Sequence, residues 1–182
     1  MTEIHGYVSS MKPKIARKTI VLQISISTLG GEGFEALVHD PPDWLDFGSR
    51  VTCSLERIRE REGEICVADD LKPSTMLPDT VHVELLVESV RETPDGHVML
   101  EGRREDGGLF SYLLKPENAN TTGVSPPYRA VAIKTHQRGI DRVVAVLPLK
   151  NYQILKRTKE FILRLKENEE KRPELDFLQE AP

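Results

Sequence analysis

Residues 47–73, FGSRVTCSLERIREREGEICVADDLKP, carry the pattern that decides the fold. Val51, Cys53 and Leu55 alternate with Thr52 and Ser54, the two-residue period of a strand with one buried face. The apolar position then slips to Ile58, which predicts a bulge near Glu56-Arg57. Glu62-Gly63 signals a turn, and Ile65 to Leu71 returns as a second strand closed by Lys72-Pro73-Ser74. The stretch therefore reads as a long β-hairpin whose first strand is Arg50 to Arg61. A turn at Glu62-Gly63 pairs Arg59 with Cys66 and leaves Cys53 several residues away. No bridge between these two cysteines is expected, because a disulfide needs Cα atoms within about 7 Å. Two free thiols fit a reducing, cytoplasmic compartment.

Working outward, the residues before this hairpin also read as strands. Gly6 to Met11 leads into a basic loop, Lys12 to Lys18, and then into the β-branched run Thr19 to Ile26. Gly30-Gly31-Glu32-Gly33 turns the chain, and Phe34 to His39 follows. Asp40-Pro41-Pro42-Asp43 breaks that strand, since proline supplies no ladder donor. Residues 1–75 thus hold five strands. Residues 80–150 repeat the count. Val81–Glu92, His97–Arg104 and Leu109–Lys115 form a meander around Thr93-Pro94-Asp95-Gly96 and Glu105-Asp106-Gly107-Gly108. After a loop, Tyr128–His136 and Arg142–Leu149 make a last hairpin. In residues 151–182, Ile154, Leu155, Phe161, Ile162 and Leu165 recur at helical spacing among lysines and arginines. That stripe is expected to pack on a barrel. Pro173 is expected to end the helix and leave an acidic tail, Glu174 to Pro182. The fold class is mainly β: two small five-stranded barrel-like units plus a C-terminal amphipathic helix. Equal strand counts make a duplicated topology an expectation, although no residue-level repeat is visible.

Apolar residues are 38% of the 182, so each unit has a thin core and needs a common interface or a partner. Net charge is −4, evenly spread, so any nucleic-acid surface must be a local patch. No window approaches the roughly 20 apolar residues of a membrane span. The opening MTEIHGYVSS lacks the apolar run of a signal peptide.

The hairpin at 47–73 resembles the last hairpin of OB-fold nucleic-acid-binding domains. Gly48, the Val51-Cys53-Leu55 alternation, Gly63, Ile65-Val67 and Lys72-Pro73 carry the resemblance, which covers about a seventh of the chain. The helix usual between the third and fourth strands of that family would have to be Pro42 to Phe47, which is very short. The resemblance implies a five-stranded barrel with a groove for single strands or oligosaccharides. Such grooves combine cations along the phosphates with aromatics under the bases.

Three groups of residues are candidates for that role. Lys12, Lys14, Arg17 and Lys18 lie between the first two strands, with Tyr7 beside them as the stacking aromatic. Arg57, Arg59 and Arg61 alternate along one strand and so share a face, but Glu56, Glu60, Glu62 and Glu64 accompany them. A solvent-facing arm laced with ion pairs accounts for that pattern equally well. Lys134, Arg138 and Arg142, with His136, surround the last hairpin tip and have only Asp141 beside them. Lone Trp44 is expected to plug a barrel end. His39, Asp40, Asp43 and Asp46 match no metal-ligand spacing, and no nucleophile–base grouping is visible. The leading expectation is a non-enzymatic single-stranded DNA- or RNA-binding protein without cofactor, serving in a larger assembly. The rival is a protein-interaction module that uses strand edges and self-association through the C-terminal helix.

Overall fold

The structure, a computed structural model, describes residues 3–16, 18–60 and 63–180, and side chains except those of 60, 137 and 169–180. Ten strands and two helices follow one another: β1 (Glu3–Ala16), β2 (Thr19–Ser27), β3 (Gly33–Val38), β4 (Arg50–Glu60), β5 (Gly63–Pro73), β6 (Thr80–Glu92), β7 (Val98–Arg104), β8 (Leu109–Leu114), α1 (Pro116–Ala119), β9 (Tyr128–Gln137), β10 (Ile140–Pro148) and α2 (Leu149–Glu180). Among the described residues, no helix is long and apolar enough to cross a membrane.

The first five strands close into a barrel in the order β1-β2-β3-β5-β4. β1 serves two neighbours: Glu3 to Tyr7 pairs with β4, and Tyr7 to Ala16 pairs with β2. A register shift between Val8 and Ser10 bends the strand from one partner to the other. The ring closes through a parallel pairing of β3 with β5 at Leu37–Val67. Leu45 and Phe47, from the β3–β4 connection, fill the barrel end. Trp44, expected there, is instead partly exposed.

The second five strands form a sheet in the order β10-β9-β6-β7-β8. Its neighbours repeat those of the barrel: first with second, second with third, first with fourth, fourth with fifth. The third and fifth strands, β8 and β10, stay unpaired, so this unit is a half-barrel rather than a closed one. The equal strand count thus goes with four equal strand pairings and one, the closing pair, that the second unit lacks. α1 lies between the third and fourth strands and packs on β10, β1 and β7.

The thin cores are joined. Along β9, Ala130 and Ala132 face the half-barrel's own core. Val131 and Ile133 face the other way, into a core shared with the barrel and with Tyr152, Leu155 and Ile162 of α2. Polar ties reinforce this joint. The Asn120 amide donates to the carbonyls of Ser9 (3.0 Å) and Val146 (2.9 Å). The Thr80 hydroxyl donates to the Gly48 carbonyl at 2.8 Å.

Four local expectations change. The loop Lys12–Lys18 is strand as far as Ala16, because β2 pairs along all of it. β1 has a free edge at Pro13, the setting in which a strand accepts proline. The β4 bulge sits between Thr52 and Ser54, not near Glu56-Arg57. From Glu56 onward the hairpin leaves the barrel, so the slip of apolar positions records loss of burial. Arg59 pairs with Glu64 and Arg57 with Cys66, so the expected Arg59–Cys66 register is shifted; Glu62 of the expected turn lies outside the described residues. Finally, α2 continues past Pro173 to Glu180. Proline inside a helix removes one backbone donor and crowds the carbonyl four residues earlier, at a cost of about 3 kcal/mol.

Both cysteines are free. Burial pushes the Cys53 thiol up to about 11 from 9.0. The folded protein therefore keeps a proton that the unfolded chain releases above pH 9. The stability tied to this group is whole below pH 9 and is lost by about pH 11, roughly 2–3 kcal/mol in all. Urea melts of wild type and Cys53→Ala from pH 8 to 11 check this. The wild-type curve is expected to fall more steeply, the tyrosines contributing equally to both.

Candidate functional site

Tyr7 is 1% exposed, and its hydroxyl donates to the Pro78 carbonyl at 2.8 Å. Burial raises its pKa against the opposing charges of Arg50 and Arg142. A ring held in the core offers no face to a base, so Tyr7 is not a stacking residue. Its hydroxyl is tethered by a carbonyl 71 positions away, a contact no local pattern announces.

Lys12 and Lys14 are exposed, two apart, on an arm formed by the ends of β1 and β2. Lys18 occupies the turn of that arm with φ of 64°, and Arg17 lies outside the described residues. Arg57 and Arg59 are exposed on the matching arm of β4 and β5, and Arg61 lies outside the described residues. The two arms flank a shallow pocket of about 280 Å³ over β2 and β3. Its wall holds Lys14, but also Glu35 and Glu64, and it contains no aromatic ring. Gln23 donates to Glu35 at 3.1 Å, and Arg59 lies 3.9 Å from Glu64. One cation faces two carboxylates, so this face is not a cationic trough.

The third group divides. Lys134 lies 3.4 Å from Asp141, and His136 Nδ1 lies 2.6 Å from the same carboxylate. The hydrogen bond with His136, then the charge of Lys134, holds the Asp141 carboxyl below the usual range. Arg138 and Arg142 have no carboxylate at ion-pair distance among the described residues. They line a cleft of about 350 Å³ between barrel and half-barrel, with Leu29, Pro78, Thr135, Ile140 and the edge of Tyr7. The structure therefore brings Arg138, Arg142 and Tyr7 together. It keeps them apart from Lys12, Lys14, Lys18, Arg57 and Arg59.

The acids of the β3–β4 connection hold α2 in place. Asp46 accepts a hydrogen bond from the Tyr152 hydroxyl at 3.0 Å, and Asp40 lies 3.6 Å from Lys166. Lys159 donates to the carbonyls of Asp43 and Leu45, and burial lowers its pKa. Burial, and then the charge of Asp46, push the Tyr152 hydroxyl up.

One feature escaped the sequence reading. Between the β1–β2 arm and α2 runs an apolar groove of about 510 Å³, lined by Pro13, Ile15, Ile20, Thr158 and Phe161. Among the described residues, Lys14 and Arg157 are the charged ones that line it. Ile15 is 76% exposed and Phe161 48%. The expected single helix stripe is in fact two. Leu155 and Ile162 pack on the body, while Ile154, Phe161 and Leu165 face outward. The signal was present in the cross-strand pair Ile15–Ile20 and in the spacing of Ile154, Phe161 and Leu165. Compared with known proteins, the chain matches no protein-family model and no curated protein sequence.

Proposed function

We propose that this protein is a non-enzymatic docking module of two OB-type units, working as an assembly subunit through the groove between the β1–β2 arm and α2. The groove is the observation that carries the reading: Ile15 and Phe161 stand open to solvent and Ile20 is half-buried, beside two cations and, among the described residues, no carboxylate. Fully burying side chains of this size contributes about 1.5–3 kcal/mol each. Lys14 and Arg157 select a partner segment whose apolar anchors are flanked by carboxylates. A five-stranded barrel with long first and last hairpins supports the OB-type reading of the first unit, and the matching strand neighbours extend it to the second.

Single-stranded nucleic acid is the second reading. It is favoured by the OB-type architecture and by Arg138 and Arg142 converging on one cleft. The carboxylates among the remaining cations, and the burial of Tyr7, place it second.

Paired titrations of the full chain separate the two. A peptide of residues 167–182, with Leu175, Phe177 and Leu178 among acids, has the chemistry the groove selects. It is expected to bind with a Kd of about 10–100 μM, weakening about tenfold or more in Phe161→Glu. A labelled mixed-sequence single strand is expected to give no anisotropy change at micromolar protein in low salt. A silent peptide, with strand binding that disappears in Arg138→Gln/Arg142→Gln, reverses the order of the two readings.

A further inference from the structure

The geometry points to the occupant of the groove: α2 of a second copy, packed antiparallel. This deepens the docking reading and rests on it. Its first support is the outward stripe of α2. Ile154, Phe161, Asn168 and Leu175 recur every seven residues, and Thr158, Leu165 and Arg172 fall four after the first three. Two interleaved sevenfold positions are the seam of paired helices. The body already uses another face, through Tyr152, Leu155 and Ile162, so this seam is left without a partner within the chain as far as Leu165. From Ile154 to Leu175 it spans three heptads, roughly 32 Å.

Charge supplies the second support and fixes the direction. Residues 150–166 hold six lysines and arginines and one glutamate, net +5. Residues 167–180 hold six carboxylates and two cations, net −4. Cations at a helix N-terminus and carboxylates at its C-terminus oppose the helix dipole, so this order does not serve the isolated helix. The body engages part of the basic half, through Lys156 over the Tyr152 ring, Lys159 and Lys166. Arg157 and Arg164 stay exposed. An antiparallel partner lays its acidic half along them, whereas a parallel partner sets like against like.

Light scattering on the eluting full chain, at low salt and about 10–200 μM, tests this. Wild type is expected to carry the mass of a dimer. Arg157→Glu/Arg164→Glu cuts the basic half from +5 to +1, and Glu170→Lys/Glu174→Lys brings the acidic half from −4 to 0. Each variant alone is expected to dissociate, with the dimer Kd raised about tenfold or more, and an equimolar mixture is expected to recover the dimer. Arg157 and Arg164 are exposed, and circular dichroism checks that both variants fold. A wild type that stays monomeric at the highest concentration overturns the pairing, as does a dimer indifferent to both charge changes. Peptide binding by such a monomer leaves the groove reading standing with a different partner. A monomer that also ignores the peptide removes both.

Discussion

Gly102→Ala is expected to cost on the order of 3–5 kcal/mol, or to prevent folding. Gly102 lies in mid-strand on β7, opposite Val87 of β6. The register shifts between Val87 and Ser89, so Glu88 bulges and the β6 backbone leans towards Gly102. A Cβ at Gly102 would stand 1.9 Å from the Leu86 carbonyl oxygen and 3.0 Å from the Glu88 nitrogen. Those atoms belong to a strand held on both sides, by β7 and by β9, and cannot step aside. Gly107→Ala is the comparison. Gly107 has a positive φ of 82° but open space around its missing Cβ, so strain alone costs about 1 kcal/mol. In thermal melts a protein of this size loses about 2–4 °C per kcal/mol. Gly102→Ala should therefore lower Tm by about 10 °C or more, and Gly107→Ala by only a few degrees. Equal, small shifts would mean that β6 does not bulge against β7.

Gly102 also marks the limit of what the sequence can express. A glycine inside a strand pattern announces a close approach, but not which backbone approaches. The two-residue period and the glycine turns located every strand. They did so because those signals act between neighbours in the chain. Closure of the barrel rests on a single parallel pair, Leu37–Val67, between residues 30 positions apart that no local signal links. The same distinction governs the candidate site. The cations were legible as residues, but Glu35 lines the same pocket as Lys14 from another strand, and Asp141 takes Lys134 and His136 at once. On α2, two adjacent apolar stripes read as one, because helical spacing gives the angle between residues and not which angle meets the body. The groove became visible only when the β1–β2 arm, read as a loop, proved to be a strand lying beside that second stripe.

The joint between barrel and half-barrel leads to the other large effect. Ile133 is fully buried and belongs by sequence to the second unit, yet it packs into the core of the first. Its Cγ2 lies 2.4 Å from where a Cβ on Gly48 would stand, so the barrel's own backbone forms part of its wall. Ile133→Ala removes three carbons from a site whose walls come from two sheets and a helix, none free to collapse alone. The expected cost is about 2–5 kcal/mol. The distinctive outcome is where that cost is read. Trp44, the single tryptophan, sits in the β3–β4 connection of the barrel, whereas far-UV dichroism averages over all ten strands. If the shared core makes one cooperative body, wild type melts in one transition by both probes, and Ile133→Ala moves both midpoints down together. A variant whose dichroism shifts while its Trp44 fluorescence holds its wild-type midpoint would show two units that fold separately. The shared core would then be contact rather than coupling. The coupled outcome follows from size: a five-stranded unit of some 70 residues buries too little surface to be secure alone. Each half here borrows apolar surface from the other through Val131, Ile133, Val144 and Leu147.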